Sequence, residues 1–141
     1  MSRLIKRLGH VGIVVENIDE SLRQYERLFN LKPTVVADAL GGKVRVAFVP
    51  VGDGEIELLQ PIGQNGPLME YLRTRGTGIH HISLTTDDIE ADVNRLRKEG
   101  VVFDRDKPTI GAHGTRMIFT VPQSTDNVAI ELMEQSTSKS Q

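Results

Sequence analysis

With 141 residues the chain is long enough for one compact domain that buries roughly two-thirds of the surface exposed by its unfolded form. A formal net charge of −2 removes any global attraction to nucleic acid or to membrane phosphates, and no apolar run approaches the ~18 residues of a transmembrane helix. The absence of cysteine excludes disulfides, thiolate nucleophiles and thiolate metal ligands, so any metal chemistry falls to His, Asp, Glu or Gln. The basic N-terminus MSRLIKRLGH lacks the apolar core and cleavage site of a signal peptide, and a cytoplasmic location is expected.

Taken in chain order, His10 to Val15 alternates and is rich in valine and isoleucine, as a strand is. Asn17 is a helix N-cap with Glu20 as capping-box partner, and Ile18, Leu22, Tyr25, Leu28 and Phe29 follow at helical spacing. Three strands are predicted next, KPTVVAD (32–38), KVRVAFVP (43–50) and EIELLQ (55–60), with turns at GG (41–42) and GDG (52–54). GPLMEYLRTRG (66–76) reads as a short helix closed by Gly76. A second strand of the first kind opens at His81. The helix IEADVNRLRKEG follows, capped by Asp87 or Asp88 and ended by Gly100. Strands VVFD (101–104), TRMIFTV (115–121) and VAIELM (128–133) complete the series, and the polar tail QSTSKSQ is expected to be mobile.

The chain is written twice. HVGIVVENIDES aligns with HISLTTDDIEAD, and VRVAFVP with TRMIFTVP, at a shift of 71 residues; EIELLQ aligns with AIELME at a shift of 74. The expected fold is α+β, two tandem βαβββ modules pairing their sheets around a metal-containing cleft. Module one covers about 7–61, a linking helix about 62–77, module two about 78–135 and the tail 136–141, all in a single domain.

The polar residues that repeat are His10 with His81, and Glu57 with Glu131. Each glutamate interrupts an apolar strand, where a single one reads as solvent-facing. Two His–Glu pairs at matching places are hard to explain as independent surface residues. Two imidazoles and two carboxylates suit one divalent cation, zinc, cobalt, nickel, manganese or iron in preference to calcium. An ion that accepts more than four ligands keeps positions open for water or a chelating substrate. Because neighbours on a strand point to opposite faces, His81 is the ligand candidate of the HH pair and His80 faces away.

Arg45 and Arg116 also repeat. They read either as outward residues in surface ion pairs or as charge partners for a substrate carboxylate or phosphate. Arg95, Arg97 and Lys98 offer the same choice between a solvated helix face and phosphate contact, and IGAHG (110–114) reads as a glycine-dependent turn.

LGHVGIVV, FVPVGDGEIELLQP, GPLMEYLRTRGTGIHHISL and IGAHGTRMIF followed by AIELME resemble the vicinal oxygen chelate superfamily, and within it the methylmalonyl-CoA epimerases, over residues 7–135. The resemblance implies that His10, Glu57, His81 and Glu131 bind the metal. It also implies proton removal and return at the carbon between a thioester and a carboxylate, through an enolate. Some epimerases carry a third-strand glutamate base, which this alignment matches to Arg45; Glu57 and Glu131 then become the proton-transfer candidates. His113 would line the pocket for an acyl-CoA substrate, with Arg45 and Arg116 as further contacts, and a homodimer is expected. VPQ (121–123) and Asp126-Asn127 depart from the family pattern. The rival readings are an isomerase of the glyoxalase I type, which has an equivalent quartet, and a metal-independent small-molecule binding protein of the same fold.

Overall fold

The computed structural model describes residues 5–135, so the tail prediction for 136–141 lies outside the described residues. The elements run β1 (Ile5–Val14), α1 (Ile18–Phe29), β2 (Val35–Ala39), β3 (Val44–Val51), β4 (Gly54–Pro61), α2 (Pro67–Arg75), β5 (Gly78–Thr86), α3 (Ile89–Lys98), β6 (Thr109–Ile110), β7 (Arg116–Phe119) and β8 (Ile130–Glu134). The order is βαβββ twice with a helix between, and the class is α+β. Two compact units are present, residues 10–80 and residues 81–135 together with 5–9.

In the unit of residues 10–80 the strands lie in the order β2-β3-β4-β1. The β2–β3 and β3–β4 pairs are antiparallel, whereas β1 and β4 are parallel. Asn17 caps α1, its side-chain oxygen accepting from the Glu20 N–H at 3.0 Å. A further orphan N–H of the first turn, that of Ile18, donates to Gln60 Oε1 of β4 at 2.8 Å, so the helix is tied to the sheet where it begins. The helix lays Ile18, Leu22 and Tyr25 over Ile13, Val15, Ala47, Ile56 and Leu58. Leu28 and Phe29, predicted to share that apolar face, stay exposed in the last turn. The helix ends at Asn30, which takes a left-handed conformation with φ of 56° and donates back to Glu26 and Tyr25. Helix α2 starts with a proline at its first position, where no N–H is needed, and ends at Gly76. Its Tyr71 hydroxyl donates to the Ile79 carbonyl at 2.6 Å, and the His80 ring stands edge-on to Tyr71 at 5.0 Å. His80 thus packs against α2.

In the other unit the order is β1-β5-β8-β7-β6, β1 entering through residues 5–9. β5 and β8 are parallel; β7 is antiparallel to β8 and to β6. Gly9 marks a close approach of β1 to β5, since a Cβ there would stand 2.8 Å from Thr85 Oγ1. Of the two cap candidates for α3 the structure selects Asp88, whose carboxylate accepts from the Ala91 N–H at 3.1 Å. The core under α3 is Ile89, Val93, Phe103, Ile118 and Leu132, joined by Ile5, Leu84, Leu96 and Val101.

The predicted strand VVFD is largely absent. Val102 bonds to the short helical turn at Pro122–Ser124, through Ser124 Oγ at 3.0 Å and the Val121 N–H at 2.7 Å, and only Phe103 forms a bridge, with Thr120. The Asp104 carboxylate then accepts from the Phe119 N–H and from Arg105, turning the chain off the sheet edge, and pairing resumes only at β6. No helix among the described residues is long and apolar enough to cross a membrane.

The α1 core depends on Leu58, which is fully buried. Leu58→Ala is expected to lower unfolding stability by about 2–5 kcal/mol, read as a reduced urea midpoint with an unchanged slope.

Candidate metal centre

Strand periodicity decides which side chains share a face. On β1, Ile13 lies under α1, so His10, Gly12 and Val14 take the opposite face. Glu57 on β4 is directly opposite Gly12, and Phe48 on β3 is directly opposite Glu57. His10 and Glu57 therefore stand together on the face away from the helix, 2% and 4% exposed, with Nε2 and Oε1 3.1 Å apart.

The second module repeats this register. The shifts of 71 and 74 carry Gly12 to Ser83, Phe48 to Phe119 and Glu57 to Glu131, and Ser83, Glu131 and Phe119 are indeed opposite one another across β5, β8 and β7. Leu84, Ile118 and Leu132 occupy the α3 side. His81 and Glu131, 3% and 6% exposed, face away from it with Nε2 and Oε1 3.6 Å apart, and the Phe119 ring stands edge-on to His81 at 5.0 Å.

Carboxylates this deeply buried are costly unless a charge or a metal compensates them. Imidazole nitrogen and carboxylate oxygen bind zinc-like cations at about 2.0–2.2 Å, which puts neighbouring ligand atoms about 2.8 to 3.6 Å apart. Both pairs have that spacing and the donor types for a borderline divalent cation. Each pair, taken by itself, thus has the spacing of two adjacent ligands of such a cation.

Residues 9–119 match the glyoxalase/bleomycin resistance protein/dioxygenase superfamily. The mitochondrial methylmalonyl-CoA epimerase of Dictyostelium discoideum is 36% identical over 92% of this chain and 79% of its own length. The ethylmalonyl-CoA/methylmalonyl-CoA epimerase of Cereibacter sphaeroides is 33% identical over 92% of this chain and 98% of its own. Among solved structures, the methylmalonyl-CoA epimerase from Mycobacterium tuberculosis superposes with a TM-score of 0.90 at 26% identity, covering 98% of this chain and 93% of that one. The chain belongs to this superfamily and, within it, to the methylmalonyl-CoA epimerase family.

Against this family background the remaining candidates take their places. Arg45 shares the parity of Ala47, which lies under α1, so it points to the helix side and pairs with Asp19 at 3.8 Å. Arg116 shares the parity of Ile118 and likewise faces α3, gripping Glu134 with two nitrogens at 3.1 and 2.6 Å and Glu90 with a third at 2.8 Å. The surface ion-pair reading therefore describes both arginines, and neither stands beside its module's His–Glu pair. Arg45, the residue aligned with the third-strand base, thus lies on the face of β3 opposite to the one shared with Glu57. The β3 face shared with Glu57 carries Val44, Val46 and Phe48, all apolar.

His113 is half-buried in the turn between β6 and β7, which the Gly114 N–H closes on the Gly111 carbonyl at 3.0 Å. Arg97 is engaged by its own loop, donating to the carbonyls of Arg105 and Asp106 and lying over the Phe103 ring at 5.4 Å. Arg95 lies 3.9 Å from the buried Asp92. Not evident in the sequence was Ser83, whose buried hydroxyl has no hydrogen-bond partner among the described residues; the signal was its alignment with Gly12.

Hydrogen bonds from Arg116, opposed in part by burial, hold the Glu134 carboxyl below its ordinary value of 4.5. A depressed carboxylate pKa stabilises the fold above the unfolded value, and the contribution disappears as pH falls through the folded one. Arg116→Gln is expected to flatten the fall of the thermal midpoint between about pH 6 and pH 3 relative to the parent protein, as followed by circular dichroism.

Proposed function

We propose that the protein is an isomerase that epimerises methylmalonyl-CoA, or a closely related 2-substituted acyl-CoA, by removing the proton at the carbon between thioester and carboxylate and returning it on the other face. The observation that carries this reading is the pair of buried His–Glu sets in one register, in a chain of the epimerase family. His10, Glu57, His81 and Glu131 are the residues that would hold a single divalent cation, with the two modules forming one domain. Such an ion supplies Lewis acidity to the substrate's thioester and carboxylate oxygens and so lowers the cost of enolate charge.

The chain's own part is proton transfer. Inversion needs a proton taken from one face of a planar carbon and delivered to the other, hence two groups or one group and a water. With β3 apolar on the Glu57 side, Glu57 and Glu131 are the carboxylates we assign to this task, one from each module. A carboxylate coordinated to such an ion would be a weaker base, so the glutamate that acts would need an oxygen free of it. His113 is proposed as a pocket residue, on family resemblance. A cytoplasmic homodimer completes the proposal, the location supported by the absence of cysteine and the dimer by resemblance.

The reading predicts rapid deuterium uptake at C2 of methylmalonyl-CoA in heavy water by cobalt-loaded protein, detected by mass spectrometry. Glu131→Gln should slow it about 100-fold or more. No uptake above the uncatalysed rate, with cobalt bound, overturns the assignment and turns the search to thiol–ketoaldehyde adducts of the glyoxalase type.

A further inference from the structure

The repeat that preserves the histidines and glutamates changes the residue beside each glutamate. Glu57 is opposite Gly12, which has no side chain; Glu131 is opposite Ser83, on the β5 face that also carries His81. Ser83 is wholly buried, and its Oγ has no hydrogen-bond partner among the described residues. A hydroxyl taken out of water without a partner is unfavourable, so at a purely structural position alanine would serve better. The neighbouring strand does not claim it either, because Gly9 carries no side chain, and a Cβ there would be only in van der Waals contact with Ser83 Oγ, at 3.8 Å. A serine hydroxyl has staggered positions to choose from, and the residue directly opposite Ser83 on β8 is Glu131.

We propose that Ser83 is a positioning residue whose hydroxyl donates a hydrogen bond to the Glu131 carboxylate during turnover, holding it in the orientation that exchanges a proton with the substrate. The residue opposite Glu57 is a glycine, so the hydroxyl distinguishes the second module from the first. This rests on the reading of Glu131 given above.

The test compares cobalt-loaded parent protein with Ser83→Ala and Ser83→Thr. For Ser83→Ala the expectation is a kcat reduced about 10- to 100-fold, the range for lost partners of metal-site residues, with KM essentially unchanged and a thermal midpoint no lower than the parent's. The visible cobalt spectrum should shift without substrate, and Ser83→Thr, which restores a hydroxyl, should recover both kcat and spectrum. A Ser83→Ala kcat within about twofold of the parent, or an unshifted spectrum, overturns the proposal. So does a joint fall of kcat and thermal midpoint that threonine does not rescue, because that is the mark of packing. If the parent protein itself fails to exchange the C2 proton, the functional reading falls, and the spectra alone then decide whether Ser83 bears on Glu131.

Discussion

Parallel pairing of the first strand of each module with its last is the constraint on which the rest depends. It sets a histidine two residues before the position facing a glutamate, on one face of the sheet, and leaves the other face apolar for a helix. Helix burial enforces the register: with Leu58 locked under α1 and Leu132 under α3, Glu57 and Glu131 have only the opposite face available. A one-residue slip would drive each carboxylate into a helix-covered core and expose each leucine, so hydrophobic burial itself holds the candidate ligands in place.

The same alternation separates chemistry from solubility along each strand. Arg45 and Arg116 are at odd steps from Phe48 and Phe119 and therefore fall on the helix side, where acidic residues of α1, α3 and β8 neutralise them. Their repetition reflects the repetition of a helix-facing surface, and it extends to the helix–sheet contact. The modules diverge where pairing is weakest, at the outer edge. In one, β2 is a continuous if exposed strand; in the other, the matching segment is broken by the Asp104–Pro108 stretch, whose polar groups bond to each other and to the ends of α3 and β7.

For proton transfer, this architecture supplies carboxylates that are buried, paired with imidazoles and backed by rigid strands. On the proposed function, an apolar β3 face beside Glu57 narrows the proton-transfer groups to the candidate metal ligands. Orientation of those carboxylates then matters more than their number, which gives a buried hydroxyl opposite one of them its interest.

Much of this was legible in the sequence because it is local or repeated. The α1 cap at Asn17 and the glycine ends of α2 and α3 each depend on a few adjacent residues, and the internal repeat named His10, Glu57, His81 and Glu131. Alternation also separated His81 from His80. What only the tertiary structure decided involves residues distant in sequence. The structure takes Asp88 and not Asp87 as the α3 cap, and VVFD pairs only around Phe103, where Ser124 Oγ takes the Val102 N–H and the Asp104 carboxylate the Phe119 N–H. The side on which Arg45 and Arg116 lie depended on which strand face a helix covers, and the burial of the Ser83 hydroxyl on strands that flank it. Periodicity says that neighbours on a strand point apart; only packing says which of the two directions is inside.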